Sequence, residues 1–375
     1  MIKNITLLGS NNDIGIKTIE FLKNNTNKFK IYSLSYDSKV DNLDFFISQI
    51  KDVSPKKVFI PLEKDAEYIE SKTKVEIITG TENFPEFIKS NEIDQVISSL
   101  SGLSSVKKIL STIYEFKDIT LLNTSPFLYC GRIITNEVKS KGVNFNIFSY
   151  PVYSLDFILK SSNINFIKNI NLFTKQKNKK EKITINDYKD FGSYLKAYYS
   201  ENNIRLVNDM FIIYYLYNIP IDNFNFYEQS ERIINIEIKF LNGTSVFFKA
   251  NLDIDSIFNY YFLDNEKIVE NKEKDLDKIS FSYKKIDPTK EKFLSLGIET
   301  LKKGGSFPII YYITIETLLY YIYKRKIKEN IDIYKIVKEF LEDKTLYDKF
   351  PDLSSVYAID NKINEKIKNK FNIKN

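Results

Sequence analysis

The stretch "NITLLGSNNDIGIKTIEFL", residues 4–22, decides the fold. Ile5, Leu7 and Leu8 make a short apolar strand, and from Asp13 onward apolar residues recur at helical spacing as far as Leu22. Between strand and helix lies "GSNNDIG", Gly9 to Gly15, placed where a doubly wound fold turns its first strand into its first helix around a dinucleotide phosphate. Gly9 permits the tight turn and Gly15 permits close packing of helix on strand, but the middle glycine of such loops is missing. Asn12 takes its place, as the residue that best tolerates left-handed backbone angles. Asp13 follows as a helix N-cap. A carboxylate about 4 Å from a pyrophosphate would cost ~1 to 4 kcal/mol.

Working outward, the strand–helix alternation continues. "FKIYSLSY", "KKVFIPL", "VEIITG", "DQVISSL", "DITLLN" and "VNFNIFS" read as strands, with helices over 13–25, 42–51, 84–90, 106–116 and 130–141. Strands separated by helical stretches predict right-handed crossovers in a parallel, doubly wound sheet. From Asn163 the texture changes to longer strands in "NINLFT", "RIINIEIKFLNGTSVFFKANLDI" and "SIFNYYFL", with Asn242–Gly243 as a hairpin turn. The charged stretches 174–182 and 264–278 read as solvated loops or a linker. After Pro288 the pattern is helical. The fold class is therefore α/β, in three parts: a Rossmann-like parallel-sheet domain over 1–149, a central α+β domain over 150–275, and a linker with a C-terminal helical domain over 276–375.

The 375 residues carry 55 basic and 49 acidic side chains, interspersed along the length, so the net charge of +6 builds no basic face for nucleic acid. A single cysteine, Cys130, excludes an internal disulfide and a cysteine-rich zinc site. There is no histidine, which removes Ser-His-Asp triads, histidine zinc sites and imidazole proton relays. The absence of tryptophan and the presence of only four alanines, beside many Ile, Lys, Asn, Phe and Tyr, suggest drift toward AT-rich codons. The apolar run "FPIIYYITIETLLYYIY", 307–323, is 17 residues long with Glu316 inside it, and reads as a buried helix rather than a membrane span. With no basic leader followed by an apolar core, a cytoplasmic protein without membrane contact is the expectation.

Taken in order, several pieces resemble 1-deoxy-D-xylulose 5-phosphate reductoisomerases. The family's G-S-T-G-S-I-G corresponds to Gly9–Ser10–Asn11–Asn12–Asp13–Ile14–Gly15; "DQVISSLSGLSSVKKIL" keeps Gly102; "LLNTSPFLYCGR" keeps Asn123, Cys130, Gly131 and Arg132 of L-A-N-K-E-S-L-V-x-C-G-R. "YEQS" at 227–230 resembles H-P-Q-S, "LNGTSVFFKA" the D-G-S-V turn, and "LGIETLKKGGSFPIIYYITIE" the C-terminal stretch, keeping Gly304, Gly305, Pro308 and Glu316. The resemblance runs nearly the full length. It implies a dinucleotide site at Gly9 to Ile14, Gly102 and Asn123, with Lys39 where the family reads the NADP 2′-phosphate. It also implies NADPH as cofactor, a magnesium or manganese ion, and a homodimer of otherwise unknown partners.

The same resemblance implies a loss. The metal segment V-D-S-E-H falls on "FSYPV", putting Ser149 at the aspartate, Tyr150 at a substrate-binding serine and Pro151 at a glutamate. M-N-K-G-L-E falls on "IIYYLY", with Ile213 at the asparagine, Tyr214 at the phosphate-binding lysine and Tyr217 at the second glutamate. Thr124 and Ser125 replace a lysine and a glutamate, Leu195 and Tyr198 fall near the mobile flap, and Thr174 alone remains of a glycine-rich turn. Asp156 and Asp209 are the acids a shifted register would recruit. The reading is a catalytically inactive homologue with no confident catalytic residue, its metal lost and its NADPH binding weakened. The alternatives are an active reductoisomerase with relocated ligands or a metal-independent NADP oxidoreductase.

Overall fold

Residues 2–40, 42–160, 162–175, 183–230, 234–249, 258, 261–262 and 282–373 are described by the computed structural model, which divides into two compact units. The first unit takes in residues 1–127 and 134–149 together with Phe258, Tyr261 and Phe262. Its strands are β1 (Lys3–Leu8), β2 (Phe29–Ser35), β3 (Lys57–Ile60), β4 (Glu76–Thr79), β5 (Gln95–Ser98), β6 (Asp118–Leu121) and β7 (Phe145–Ile147). They pair in the order β4-β3-β2-β1-β5-β6-β7, every pairing parallel. The crossovers run outward in both directions from β1, so the order reverses between β1 and β5, the place where such sheets open a crevice at their strand ends.

Crossover helices are α1 (Asp13–Lys23), α2 (Leu43–Val53), α3 (Glu63–Glu70), α4 (Phe84–Ile88), α5 (Val106–Tyr114) and α6 (Ser125–Lys141). Because helices flank the sheet, its central strands are apolar on both faces: Ile5, Leu7, Leu8, Val96 and Ile97 are all fully buried. Helix α3 has no counterpart in the sequence reading. Only Ala66 and Ile69 supply apolar burial in "EKDAEYIE", too few to raise a periodic signal. Helix α6 starts at Ser125, five residues before the expected onset, and departs from helical angles at Cys130 (φ −128°, ψ 23°).

"SIFNYYFL", expected as a strand, is helical at its described residues Phe258, Tyr261 and Phe262. Phe258 and Phe262 are one helical turn apart and present their rings together, at 5.1 and 6.1 Å from Phe21 of α1. The charged stretches 176–182 and 264–278 lie outside the described residues.

The second unit takes in residues 128–133, the described residues of 150–249, and 282–373. Strands β8 (Ile167–Lys175), β9 (Phe224–Gln229), β10 (Ile234–Phe240), β11 (Ser245–Lys249) and β12 (Tyr283–Lys285) form a mixed sheet in the order β11-β10-β8-β9-β12, with only β8 and β9 parallel. Asn242–Gly243 turns the β10–β11 hairpin as expected. Gly243 sits at φ +87°, and the Asn242 side chain accepts from Thr244 N–H at 3.0 Å.

Helices α7 (Tyr150–Leu159), α8 (Phe191–Glu201), α9 (Ile204–Tyr217), α10 (Lys292–Lys303), α11 (Phe307–Tyr323), α12 (Ile333–Glu342) and α13 (Leu353–Phe371) complete the unit. The run 307–323 is the buried helix α11, as its internal charge implied. Its hydroxyls find partners on the surrounding helices: Tyr311 donates to Phe293 O at 3.1 Å, Tyr312 to Asn208 Oδ1 at 2.6 Å and Tyr321 to Asn364 Oδ1 at 2.6 Å. No helix among the described residues is long and apolar enough to cross a membrane.

Candidate functional site

In the first unit, Gly9 adopts φ +78°, and a Cβ there would lie 2.8 Å from both Leu100 and Ser99. A Cβ on Gly15 would lie 2.2 Å from Gly9 O, a backbone atom that cannot swing away. Both glycines thus hold the strand-to-helix turn in the way their positions imply. Two of the five residues between them, Asn12 and Asp13, behave differently from expectation. Asn12 is extended (φ −89°, ψ 167°), so its tolerance of left-handed angles is not used; instead it is the N-cap of α1, accepting from Gly15 N–H at 2.9 Å. Asp13 is displaced from the cap to the first helical position, where it is exposed and its charge meets the helix dipole favourably.

Side chains of the loop are tied into the neighbouring crossover. Ser10 Oγ donates to Gln49 Oε1 at 3.0 Å, and Gln49 Nε2 returns a bond to Ser10 O at 2.8 Å. Asn11 donates to Asp37 O, Val40 O and Asn42 Oδ1 and accepts from Asp37 N–H at 2.6 Å. Asn12 Nδ2 reaches Asp37 Oδ2 at 3.3 Å and Ser99 O at 3.2 Å. Ile14, partly buried in the first turn of α1, packs on the hydrophobic core of this unit.

Lys39 and Gly102 come together: the ammonium donates to Ser101 O at 2.6 Å and lies 3.0 Å from where a Cβ on Gly102 would stand. Asn123 accepts from both the N–H and the hydroxyl of Ser125, and Ser125 Oγ in turn accepts the Gly102 N–H at 2.8 Å. Thr124 is the N-cap residue of α6, without a side-chain bond to the helix. Two charged groups that the sequence reading passed over belong to this crevice. Asp37 follows β2 by two residues, a signal legible in the sequence. Lys108, on α5, lies over the rings of Phe59 and Phe84 at 5.1 and 5.9 Å, and burial pulls its ammonium down to about 8 against the opposing pull of Asp37.

Ser149 closes the first unit and is buried. In the second unit Tyr150 and Pro151 open α7, with Pro151 buried, while Ile213 is fully buried in α9 and the ring of Tyr214 lies 5.5 Å from that of Tyr215. Tyr217 donates its hydroxyl to Asp156. Asp209, also on α9, adds to the forces that hold the Tyr312 phenol in its neutral form, burial being the largest of them. Tyr215 fills the space over Gly131, where a Cβ would come within 2.6 Å of its ring, and burial pushes its phenol up. The segment matched to the flap is helix α8: Leu195 is half-buried, the Tyr198 ring meets Phe293 at 6.1 Å, and Thr174 remains on β8.

These residues fit the implied groups unequally. The glycine cradle at Gly9 and Gly15 fits a dinucleotide, since a Cβ at either position would occupy the turn. At the positions that the resemblance assigns to the metal, a hydroxyl, a proline ring and a phenol that is itself a donor do not fit a hard divalent cation, which takes carboxylate and carbonyl oxygens. No group of three or more Asp, Glu or Cys side chains suited to a metal occurs among the described residues.

A doubly wound dinucleotide fold joined to a sheet-and-helix unit is thus the class of protein that the architecture and the glycine turn define. Residues 5–131 match the family model described as 1-deoxy-D-xylulose 5-phosphate reductoisomerase. A reductoisomerase of that name from Thermoanaerobacter sp. (strain X514) is 23% identical over 385 residues, covering 98% of this chain and 99% of that protein. One from Wigglesworthia glossinidia brevipalpis is 32% identical over 143 residues, covering 36% of this chain and 35% of its own length. Among solved structures, the reductoisomerase from Zymomonas mobilis in complex with NADPH superposes with a TM-score of 0.80 at 17% identity, covering 100% of both chains. A DOX-P reductoisomerase in complex with NADPH, fosmidomycin and magnesium gives 0.80 at 16%, covering 99% of both. Over nearly its whole length the chain is similar to 1-deoxy-D-xylulose 5-phosphate reductoisomerases, and it shares their fold.

Proposed function

We propose that this chain is a catalytically inactive reductoisomerase homologue that keeps the dinucleotide turn and has given up the metal and substrate-phosphate ligands. The observation that carries the reading is Tyr217. At the position matched to a metal-binding glutamate, it supplies a proton donor, and that donor is spent on Asp156. A divalent cation needs anionic acceptors to offset its dehydration, so a phenol donor and a proline at matched positions oppose it. Tyr214 carries no charge to hold a substrate phosphate where the family has a lysine. In the first unit Ser125 accepts the Gly102 N–H, so a group that lines the crevice is committed within the chain.

The test is oxidation of NADPH by the full-length chain with 1-deoxy-D-xylulose 5-phosphate and Mg²⁺ or Mn²⁺. No turnover above background is expected, and metal-dependent turnover would overturn the reading in favour of relocated ligands. A homodimer in the cytoplasm is part of the same proposal, checked by sedimentation equilibrium and by fractionation of cells.

A further inference from the structure

Asp37 is held in place by its backbone and side chain together. Its N–H goes to Asn11 Oδ1 at 2.6 Å and its carbonyl accepts from Asn11 Nδ2 at 3.1 Å. Its carboxylate accepts from Asn12 Nδ2 at 3.3 Å and from the Lys39 N–H at 3.2 Å. The side chain is 7% exposed, so this charge is built into the turn and not left in solvent. In a doubly wound dinucleotide fold the end of the second strand lies beside the adenosine ribose. An acid there accepts from the 2′-hydroxyl of NAD, whereas a fold that takes NADP places a cation to meet the 2′-phosphate.

Two cations are near, and Asp37 attracts the second of them, Lys108, through space. The Lys39 ammonium donates to Ser101 O at 2.6 Å, and the Lys108 ammonium lies over the Phe59 and Phe84 rings. The carboxylate is the charge that the phosphate loop itself orients.

We infer that Asp37 makes the first unit select NAD(H) over NADP(H), accepting from the ribose 2′-hydroxyl and repelling a 2′-phosphate. The inference rests on the dinucleotide reading above and deepens it by naming the nucleotide. It sets this chain apart from the solved relatives that carry NADPH.

The full-length chain is titrated separately with NADH and NADPH, following nicotinamide fluorescence and, independently, heat of binding. NADH is expected to bind at least about tenfold more tightly, the size of a like-charge contact at a partly screened site. Asp37→Asn keeps the side chain's shape and removes its charge. It is expected to strengthen NADPH about tenfold while NADH changes by less than about threefold. Equal or tighter binding of NADPH by the native chain would overturn the inference without needing any variant, and an unchanged ratio in Asp37→Asn would remove Asp37 from the role. If neither nucleotide binds, the dinucleotide reading itself fails, an outcome distinct from a reversed preference.

Discussion

Tyr217, the last residue of α9, donates its hydroxyl to Asp156 of α7, so this carboxylate has a phenol as a proton donor. Tyr217→Phe removes that donor and costs about 1–2 kcal/mol of stability, read from the midpoint of urea unfolding. Tyr217→Glu places two carboxylates together. It is expected to cost more than the Phe variant at pH 7 and to recover as the pH is lowered toward 4, where one carboxyl is protonated. Equal destabilisation at both pH values would show that the charges do not meet.

Gly15→Ala tests the turn. Its added carbon would fall 2.2 Å from Gly9 O and 2.8 Å from the backbone of Ser10, so the loop must open rather than a side chain rotate. A loss of about 3 kcal/mol or more is expected. Gly142→Ala is the control, since nothing lies within 4 Å of its Cβ and only the positive φ of +65° opposes it. Its cost should stay near ~1–2 kcal/mol. Similar losses at the two sites would argue against close helix packing at Gly15.

Glu316, inside α11, accepts from the hydroxyls of Tyr129 and Tyr199. Glu316→Ala leaves two phenols without that acceptor and is expected to cost about 2–4 kcal/mol. Glu316→Gln retains one acceptor oxygen and should cost about half as much by the same reasoning. Thermal unfolding of the two variants, at one protein concentration, ranks them.

Alkaline pH should unfold the protein through its tyrosines. Burial raises the phenols of Tyr199, Tyr311 and Tyr312 well above their ordinary value, raises Tyr194 to about 12 and raises the Cys130 thiol to about 12. Each group is neutral in the fold and ionises more readily once unfolded, so the unfolded chain sheds protons first as the pH climbs. Their contribution is whole below the ordinary values near 9 to 10 and drains away as the pH rises toward 12. Absorbance at 295 nm should therefore show a late, steep group of tyrosines that ionise together with loss of helical circular dichroism. Smooth ionisation of every tyrosine near 10 with the fold intact would contradict it.

The parallel sheet was legible because strands covered on both faces become unbroken apolar runs and the helices between them are periodic. The glycine turn was legible because Gly9 takes a positive φ that favours glycine and Gly15 meets the backbone of Gly9 and Ser10 a few residues away. What escaped was set by long-range packing or by which atom a side chain reaches. Helix α3 buries too little to mark itself, and Phe258 shows its role only once Phe21 stands opposite. Asn12 took the capping task expected of Asp13 because either side chain can cap a helix, and the choice fell to Asn12, whose amide also reaches Asp37 and Ser99. Asp37 was readable from its distance past β2; that its charge is fastened to the loop was not.

The rings that complete the α1 side of the first unit, Phe258 and Phe262, also reach Phe29 and Phe148, and Tyr261 donates to Ile147 O at 3.1 Å. A ribosome has produced all seven parallel strands by residue 147, yet must add more than a hundred further residues before those rings exist. During that interval Phe21 and Phe29 lack part of their cover. The order of synthesis therefore leaves the first unit unsealed while the middle of the second is made, and a fragment ending at residue 149 would carry an aromatic face that the whole chain conceals.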